Sequence, residues 1–139
     1  MTTSVQFDLG AGVAVRIFAH DLPRGGAALP CLSYVTDGLR RFQQQELVVT
    51  LVRAPGAVIQ QPPPEPMQLL ASITSLAQQG RLVENGGMTE VGPTGLFGRP
   101  SLRGLAYQTA MPMHDVVLPD GCLAAIAFRG SFALFGGSS

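Results

Sequence analysis

Residues 46–53 read ELVVTLVR, and this stretch decides the fold. In an extended chain, Leu47, Val49 and Leu51 point to one side, and the valines beside them point to the other. A strand that is apolar on both sides is typical of the centre of a sheet, where both faces are covered. The segment therefore predicts a central strand in a sheet with a layer packed on each face.

Five further stretches carry the two-residue alternation of strands, and one carries the period of a helix. In the helical stretch, 67–79, apolar residues recur at steps of three and four, and Gly80 follows as a helix-ending residue. Three segments rich in Gly, Pro or polar residues are expected to be loops, namely 20–30, 37–45 and 84–98. The predicted strands are 5–9, 13–18, 31–36, 46–53, 102–109 and 122–128.

This order of elements predicts an α+β fold of sandwich-like form, with a mixed or antiparallel sheet of about six strands and one main helix packed on it. The chain has 139 residues, of which 46% are hydrophobic and 13% are charged. That apolar fraction is sufficient for the core of one domain and excludes a disordered chain. We assign the domain to residues 1–135 and expect 136–139 to form a flexible Gly/Ser tail.

The composition excludes several functions and points to a compartment. All nine basic residues are arginines, so the chain has no phosphate-binding, Schiff-base or kinase-type lysine. The net charge is zero and Arg40–Arg41 is the longest basic run, so we expect no nucleic-acid partner. Without a signal-peptide pattern or a long apolar run, the expected location is the cytoplasm, with no membrane partner. Cys31 and Cys122 are predicted to be separate, buried, reduced thiols.

Two His-Asp pairs, His20–Asp21 and His114–Asp115, are the strongest indication of an enzyme. Together they offer the ligand types of a divalent metal site, which would make the chain a small metal-dependent hydrolase. Both pairs are expected in loops beside prolines, and no further histidine is present. A cysteine nucleophile assisted by His114 and Asp115 lacks any feature that would lower the pKa of the thiol. We therefore predict no catalytic residues, no metal and no cofactor.

Residues 34–39, YVTDGL, resemble a strand and turn of the suppressor-of-fused family. The blocks that follow in the family order are ELVVTL, the helix, ENGGMT, LRGLAY and LPDG, so the resemblance covers 13–128. The same order resembles the C-terminal region of the Smad-anchoring FYVE proteins. Two features depart from the family pattern. The helix entry has no tryptophan beside Pro66, and the last strand ends early, at 129–132.

The resemblance implies an α/β fold that acts by protein–protein binding, and it brings no catalytic residues. We therefore predict a non-enzymatic bacterial binding module of the suppressor-of-fused type. One form of such a module is an immunity protein that sequesters its partner. The metal-dependent hydrolase is one alternative. The other is a structural domain that assembles with itself, in which Phe132 and Phe135 cover a sheet edge.

Loops supply recognition surfaces on many scaffolds, so partner binding is expected in 37–45 and 84–98. Arg40 and Arg41 are adjacent charges of like sign in a weakly charged chain, and Glu84 and Asn85 begin the Gly-rich segment. These four residues are the predicted partner-binding residues.

Overall fold

A computed structural model describes residues 3–90, 95–96 and 99–129. Within this part of the chain, seven strands form one sheet, and a single α-helix and a short 3-10 turn, Leu39–Phe42, accompany it. The helix is α1 (Glu65–Gln78). The strands are β1 (Thr3–Gly10), β2 (Val13–Arg24), β3 (Ala27–Asp37), β4 (Leu47–Val52), β5 (Met88–Glu90), β6 (Leu102–Thr109) and β7 (Leu123–Arg129).

The strands lie in the order β1-β2-β3-β4-β7-β6-β5. All neighbours are antiparallel except β4 and β7, which are parallel, so the sheet is mixed. The α+β prediction is confirmed in outline, with seven strands instead of about six. The additional strand, β5, lies inside the predicted loop 84–98, where three residues between Gly-rich turns gave too short a pattern to recognise.

The prediction of a loop over 20–30 was wrong. Strands β2 and β3 continue through it, and Gly25 and Gly26, both with positive φ, make the turn between them. The prolines are tolerated because this end of the hairpin extends past the pairing of β1, which stops at Ala19. Pro30 turns its carbonyl away from β2, towards Arg53, so its missing N–H falls on the outer edge of the hairpin.

The two faces of the sheet bury different clusters. On one face, Leu70 and Ile73 of α1 pack over Tyr34, Leu47 and Val49. On the other face, the valines and phenylalanine of β2–β4 are covered by residues 110–118, which we call the strap. The double-sided burial predicted for ELVVTLVR therefore holds for the first half of β4, whereas the second half is partly exposed.

The two cysteines are buried and free, as predicted. Burial raises the pKa of the Cys122 thiol to about 12, and the negative charge of Glu46 adds to this effect. Burial likewise raises the pKa of Cys31. Among the described residues, no helix is both long and apolar enough to cross a membrane. The predicted tail 136–139 and the edge-covering Phe132 and Phe135 lie outside the described residues.

Replacement of Leu70 by alanine tests the packing of the helix. Leu70 is fully buried beneath the sheet, so Leu70→Ala is expected to lower the free energy of unfolding by about 2–5 kcal/mol through loss of contacts and a residual cavity. Urea unfolding measures the change. Leu82→Ala, at a position that is 39% exposed, is the control and should change the value by about 0.5 kcal/mol or less. Equal effects of the two variants would contradict the burial of the helix.

Candidate functional site

The parallel pairing of β4 with β7 is short. It joins Leu47 to Leu123 and Val48 to Ala124, and no further pair connects the two strands among the described residues. Both strands continue, since β4 remains paired with β3 as far as Val52 and β7 remains paired with β6 along its length. The sheet therefore opens into a groove between β4 and β7, closed at the start of the strands and open towards their ends.

The main-chain groups of both strands face into this groove. The amide of Arg53 donates to Pro30, so the alternate residues Thr50 and Val52 turn their N–H and C=O groups away from β3. On the other side of the groove, the amide of Ala110 donates to the carbonyl of Cys122, which therefore points towards β6. Because main-chain groups alternate in direction along a strand, Ala127, five residues later, turns its N–H and C=O groups away from β6. Among the described residues these edges have no strand partner, so the groove is bordered by free donors and acceptors.

The groove encloses about 520 Å³, within the usual range for ligand sites of roughly 300–1,000 Å³. It is lined mainly by apolar side chains, and none of the described lining residues is charged. Met111, which is 73% exposed, and Ile126, which is 43% exposed, leave apolar surface at its mouth. The lining consists of Leu22, 48–51, Leu105, Gln108, 110–113 of the strap and 124–127 of β7.

A chain of polar side chains crosses β2, β3 and β4 and ends at the groove. His20 Nε2 lies 2.7 Å from Ser33 Oγ, which in turn lies 2.7 Å from Thr50 Oγ1. The Met113 sulfur lies 3.9 Å from both hydroxyl oxygens and covers them from the strap. His20 is only 6% exposed, and its Nδ1 has no hydrogen-bond partner among the described residues. Of these three polar side chains, Thr50 is the one that lines the groove.

Burial lowers the pKa of His20 below its ordinary value of 6.5. The charges of Asp21 on the same strand and Asp115 on the strap, and to a smaller extent the main chain of Asp21, act in the opposite direction and are weaker influences on the pKa. Burial thus favours the neutral imidazole, in which one of the two ring nitrogens is protonated.

At the closed end of the groove, the buried carboxylate of Glu46 organises the loop after β3. It accepts hydrogen bonds from the Thr36 hydroxyl at 2.8 Å and from the amides of Gly38, Leu39 and Arg40 at 3.0–3.3 Å. The Arg40 guanidinium donates to it as well, at 3.2 Å. The carboxylate therefore satisfies the amides that begin the 3-10 turn and stabilises the observed conformation of the loop.

The four predicted partner-binding residues lie at this same end, and none of them lines the groove. Arg40 is exposed and pairs with Asp37 at 2.9 Å, whereas the guanidinium of Arg41 lies over the turn at Gly12. Glu84 and Asn85 are exposed in the neighbouring loop. The buried amide of Gln44 joins the two loops, because it both accepts from and donates to the main chain at Val83. The prediction that these four residues bind a partner stays a prediction.

The expectation that both His-Asp pairs lie in loops was wrong for the first pair. His20 is in β2, and its side chain points into the sheet face because the strand alternation places it beside Phe18 and Leu22. His114 and Asp115 are in the strap, with a His114 Nε2–Asp115 Oδ1 distance of 3.6 Å. Within the described ranges, no group of three or more His, Cys, Asp or Glu side chains could hold a metal ion.

No protein-family model matches this chain. No curated protein is recognisably similar to it in sequence. The resemblance to the suppressor-of-fused family stays a prediction, and function is inferred from the geometry described above.

Sequence reasoning did not find the groove or the polar chain. The signal in the sequence was the change within ELVVTLVR, where Thr50 interrupts the apolar residues of one side of the strand. Ser33 gives the same interruption in the neighbouring strand, and His20 continues it. Three polar residues in adjacent strands can be recognised as neighbours only when the register of the strands is known.

The loops at the closed end of the groove, residues 37–45 and 83–85, are called the loop end. Substitution of Glu46 by glutamine tests whether its carboxylate stabilises this loop end. The amide would place N–H donors against donors of the main chain and Arg40, so Glu46→Gln is expected to lower the free energy of unfolding by about 1–3 kcal/mol. Urea unfolding of the variant gives the value. Glu84→Gln changes an exposed carboxylate and should stay within about 0.5 kcal/mol of wild type. A Glu46→Gln variant as stable as Glu84→Gln would disprove the role of the carboxylate.

The lowered pKa of His20 predicts a pH dependence of stability. As the pH falls below 6.5, the unfolded chain takes up a proton at His20 before the folded protein does, so the free energy of unfolding decreases until the lower folded pKa is reached. Urea unfolding over a series of decreasing pH values should show this decrease. His20→Gln should reduce it, whereas His114→Gln, at an exposed position, should retain it. The same pH profile in wild type and His20→Gln would contradict the assignment.

Proposed function

We propose that the chain is a non-enzymatic protein-binding module that takes an extended segment of its partner into the groove between β4 and β7. The observation that carries this proposal is the pair of strand edges that border the groove and have no strand partner among the described residues. An extended polypeptide offers alternating main-chain donors and acceptors, which complete such edges by strand addition. The apolar, uncharged lining suits the side chains of an uncharged segment.

The proposal agrees with the protein-binding role that the suppressor-of-fused resemblance implies. An immunity protein that sequesters its partner in the bacterial cytoplasm is one form of such a module. The hydrogen-bonded loops with Arg40, Arg41, Glu84 and Asn85 lie at the closed end of the groove and are a second place where a partner can make contact.

Selection from a phage-displayed library of random peptides on the whole protein tests the proposal. The selected peptides are then synthesised in two forms, one unmodified and one N-methylated at alternate amides, and their affinities are measured by calorimetry. Methylation removes main-chain donors and leaves the side chains, so the methylated form is expected to bind about tenfold more weakly or worse, the loss for about two net hydrogen bonds.

Protein variants identify the surface that binds the selected peptides. Ile126→Asp places a charge in the groove and should weaken binding about tenfold or more, since a charge without a partner is costly to bury. Val58→Asp makes the same change at a half-exposed apolar position outside the groove and should leave affinity unchanged. If the double variant Arg40→Glu, Arg41→Glu loses binding and Ile126→Asp retains it, the peptides bind at the loop end and not in the groove. Failure to select any peptide that is sensitive to Ile126→Asp would overturn the proposal.

A further inference from the structure

We infer that Thr50 is the specificity-determining residue of the groove, where its hydroxyl donates a hydrogen bond to an uncharged acceptor on the bound segment. His20, acting through Ser33, is the positioning residue that sets the direction of this donation. The inference rests on the proposed function, because it concerns what the segment in the groove must offer.

The three side chains form a continuous path from the buried sheet face to the groove. Ser33 is fully buried between the other two, and each oxygen or nitrogen lies 2.7 Å from the next. The register places Ser33 opposite Thr50, so the two hydroxyls share one face of the sheet. Thr50 is partly exposed and lines the groove, so the path ends at the position of a bound segment.

The position of the imidazole proton sets the polarity of this path. His20 Nδ1 is buried with no partner in hydrogen-bond geometry among the described residues, and the main chain of Asp21 is the weakest influence on the pKa of the ring, whereas Nε2 has the Ser33 hydroxyl at 2.7 Å. The proton of the neutral ring therefore belongs on Nε2, which then donates to Ser33 Oγ. Ser33 in turn donates its hydroxyl hydrogen to Thr50 Oγ1.

This direction leaves the hydroxyl hydrogen of Thr50 free to donate. Within the described residues, its other neighbour is the Met113 sulfur at 3.9 Å, and a thioether is a weak acceptor. A main-chain carbonyl or a side-chain amide oxygen on the bound segment is a stronger acceptor, and the lining contains no charge to favour an ionic group. The groove therefore selects a segment that places a carbonyl oxygen opposite Thr50 and rejects one that places an ammonium or guanidinium group there.

The tautomer of His20 gives the first test and needs no ligand. Long-range nitrogen–proton correlation spectra of the whole protein at neutral pH distinguish the two ring nitrogens. Protonation of Nε2 is expected, and protonation of Nδ1 would reverse the path and overturn the inference.

The second test uses the peptides selected on the groove and a pair of Thr50 variants. Thr50→Val keeps the shape of the side chain and should bind about tenfold more weakly, whereas Thr50→Ser keeps the hydroxyl and should restore binding. Circular dichroism and urea unfolding confirm that both variants are folded. Equal affinity of wild type and Thr50→Val would overturn the inference and leave the proposed function standing.

A double-mutant cycle identifies the acceptor. Replacing peptide carbonyl oxygens one at a time by sulfur, and side-chain amides by leucine, should reveal one change that weakens binding to wild type and has no effect on Thr50→Val. The two kinds of change distinguish a main-chain acceptor from a side-chain acceptor. Additive effects at every position would overturn the inference. A library that yields no groove-dependent peptide would instead overturn the proposed function, and the inference with it.

Discussion

The buried carboxylate of Glu46 is the constraint on which the rest of the structure depends. Removing a carboxylate from water is costly unless its oxygens accept enough hydrogen bonds. Here the donors are the Thr36 hydroxyl, the amides of the following turn and Arg40. Thr36 also accepts from the Leu47 amide, so β3 and β4 are joined at the same point. The carbonyl of Glu46 accepts from Leu123 at 2.8 Å and begins the pairing of β4 with β7.

This junction explains why the sheet is closed at one end and open at the other. Within the part of the chain that the structure describes, the short parallel pair is the one strand pairing between the two halves of the sheet, β1–β4 and β5–β7. Two hydrogen bonds hold that pair at its start. The Glu46 carbonyl accepts from the Leu123 amide, and the Gln45 side chain donates to the Gly121 carbonyl. Strands of a twisted sheet that are joined at one end diverge unless further ladder bonds hold them together. The groove is therefore a consequence of where the pairing stops.

The arrangement places a polar, hydrogen-bonded surface at the start of β4 and an apolar groove along the rest of the strand. The loop end is fixed by buried polar groups, which suits recognition at low entropic cost. Among the described residues, the groove has mainly apolar walls and main-chain groups without a strand partner, and the Thr50 hydroxyl that lines it is linked through Ser33 to the buried His20. In the proposed binding module, the main-chain edges would supply affinity for an extended segment and the Thr50 hydroxyl would supply selectivity.

Local pattern in the sequence was enough to determine the α+β class, the helix and most of the strands, because periodicity depends on residues a few positions apart. It determined that Leu70, Ile73 and the first half of ELVVTLVR are buried. It did not determine that 20–30 is a hairpin, since prolines are acceptable there only because the register turns the position of the missing N–H away from the partner strand of the hairpin. Only the tertiary structure decided that β4 lies beside β7, that His20 faces inward and that Thr50 reaches a groove. These features depend on the register between strands distant in sequence, which long-range packing decides and no local pattern records.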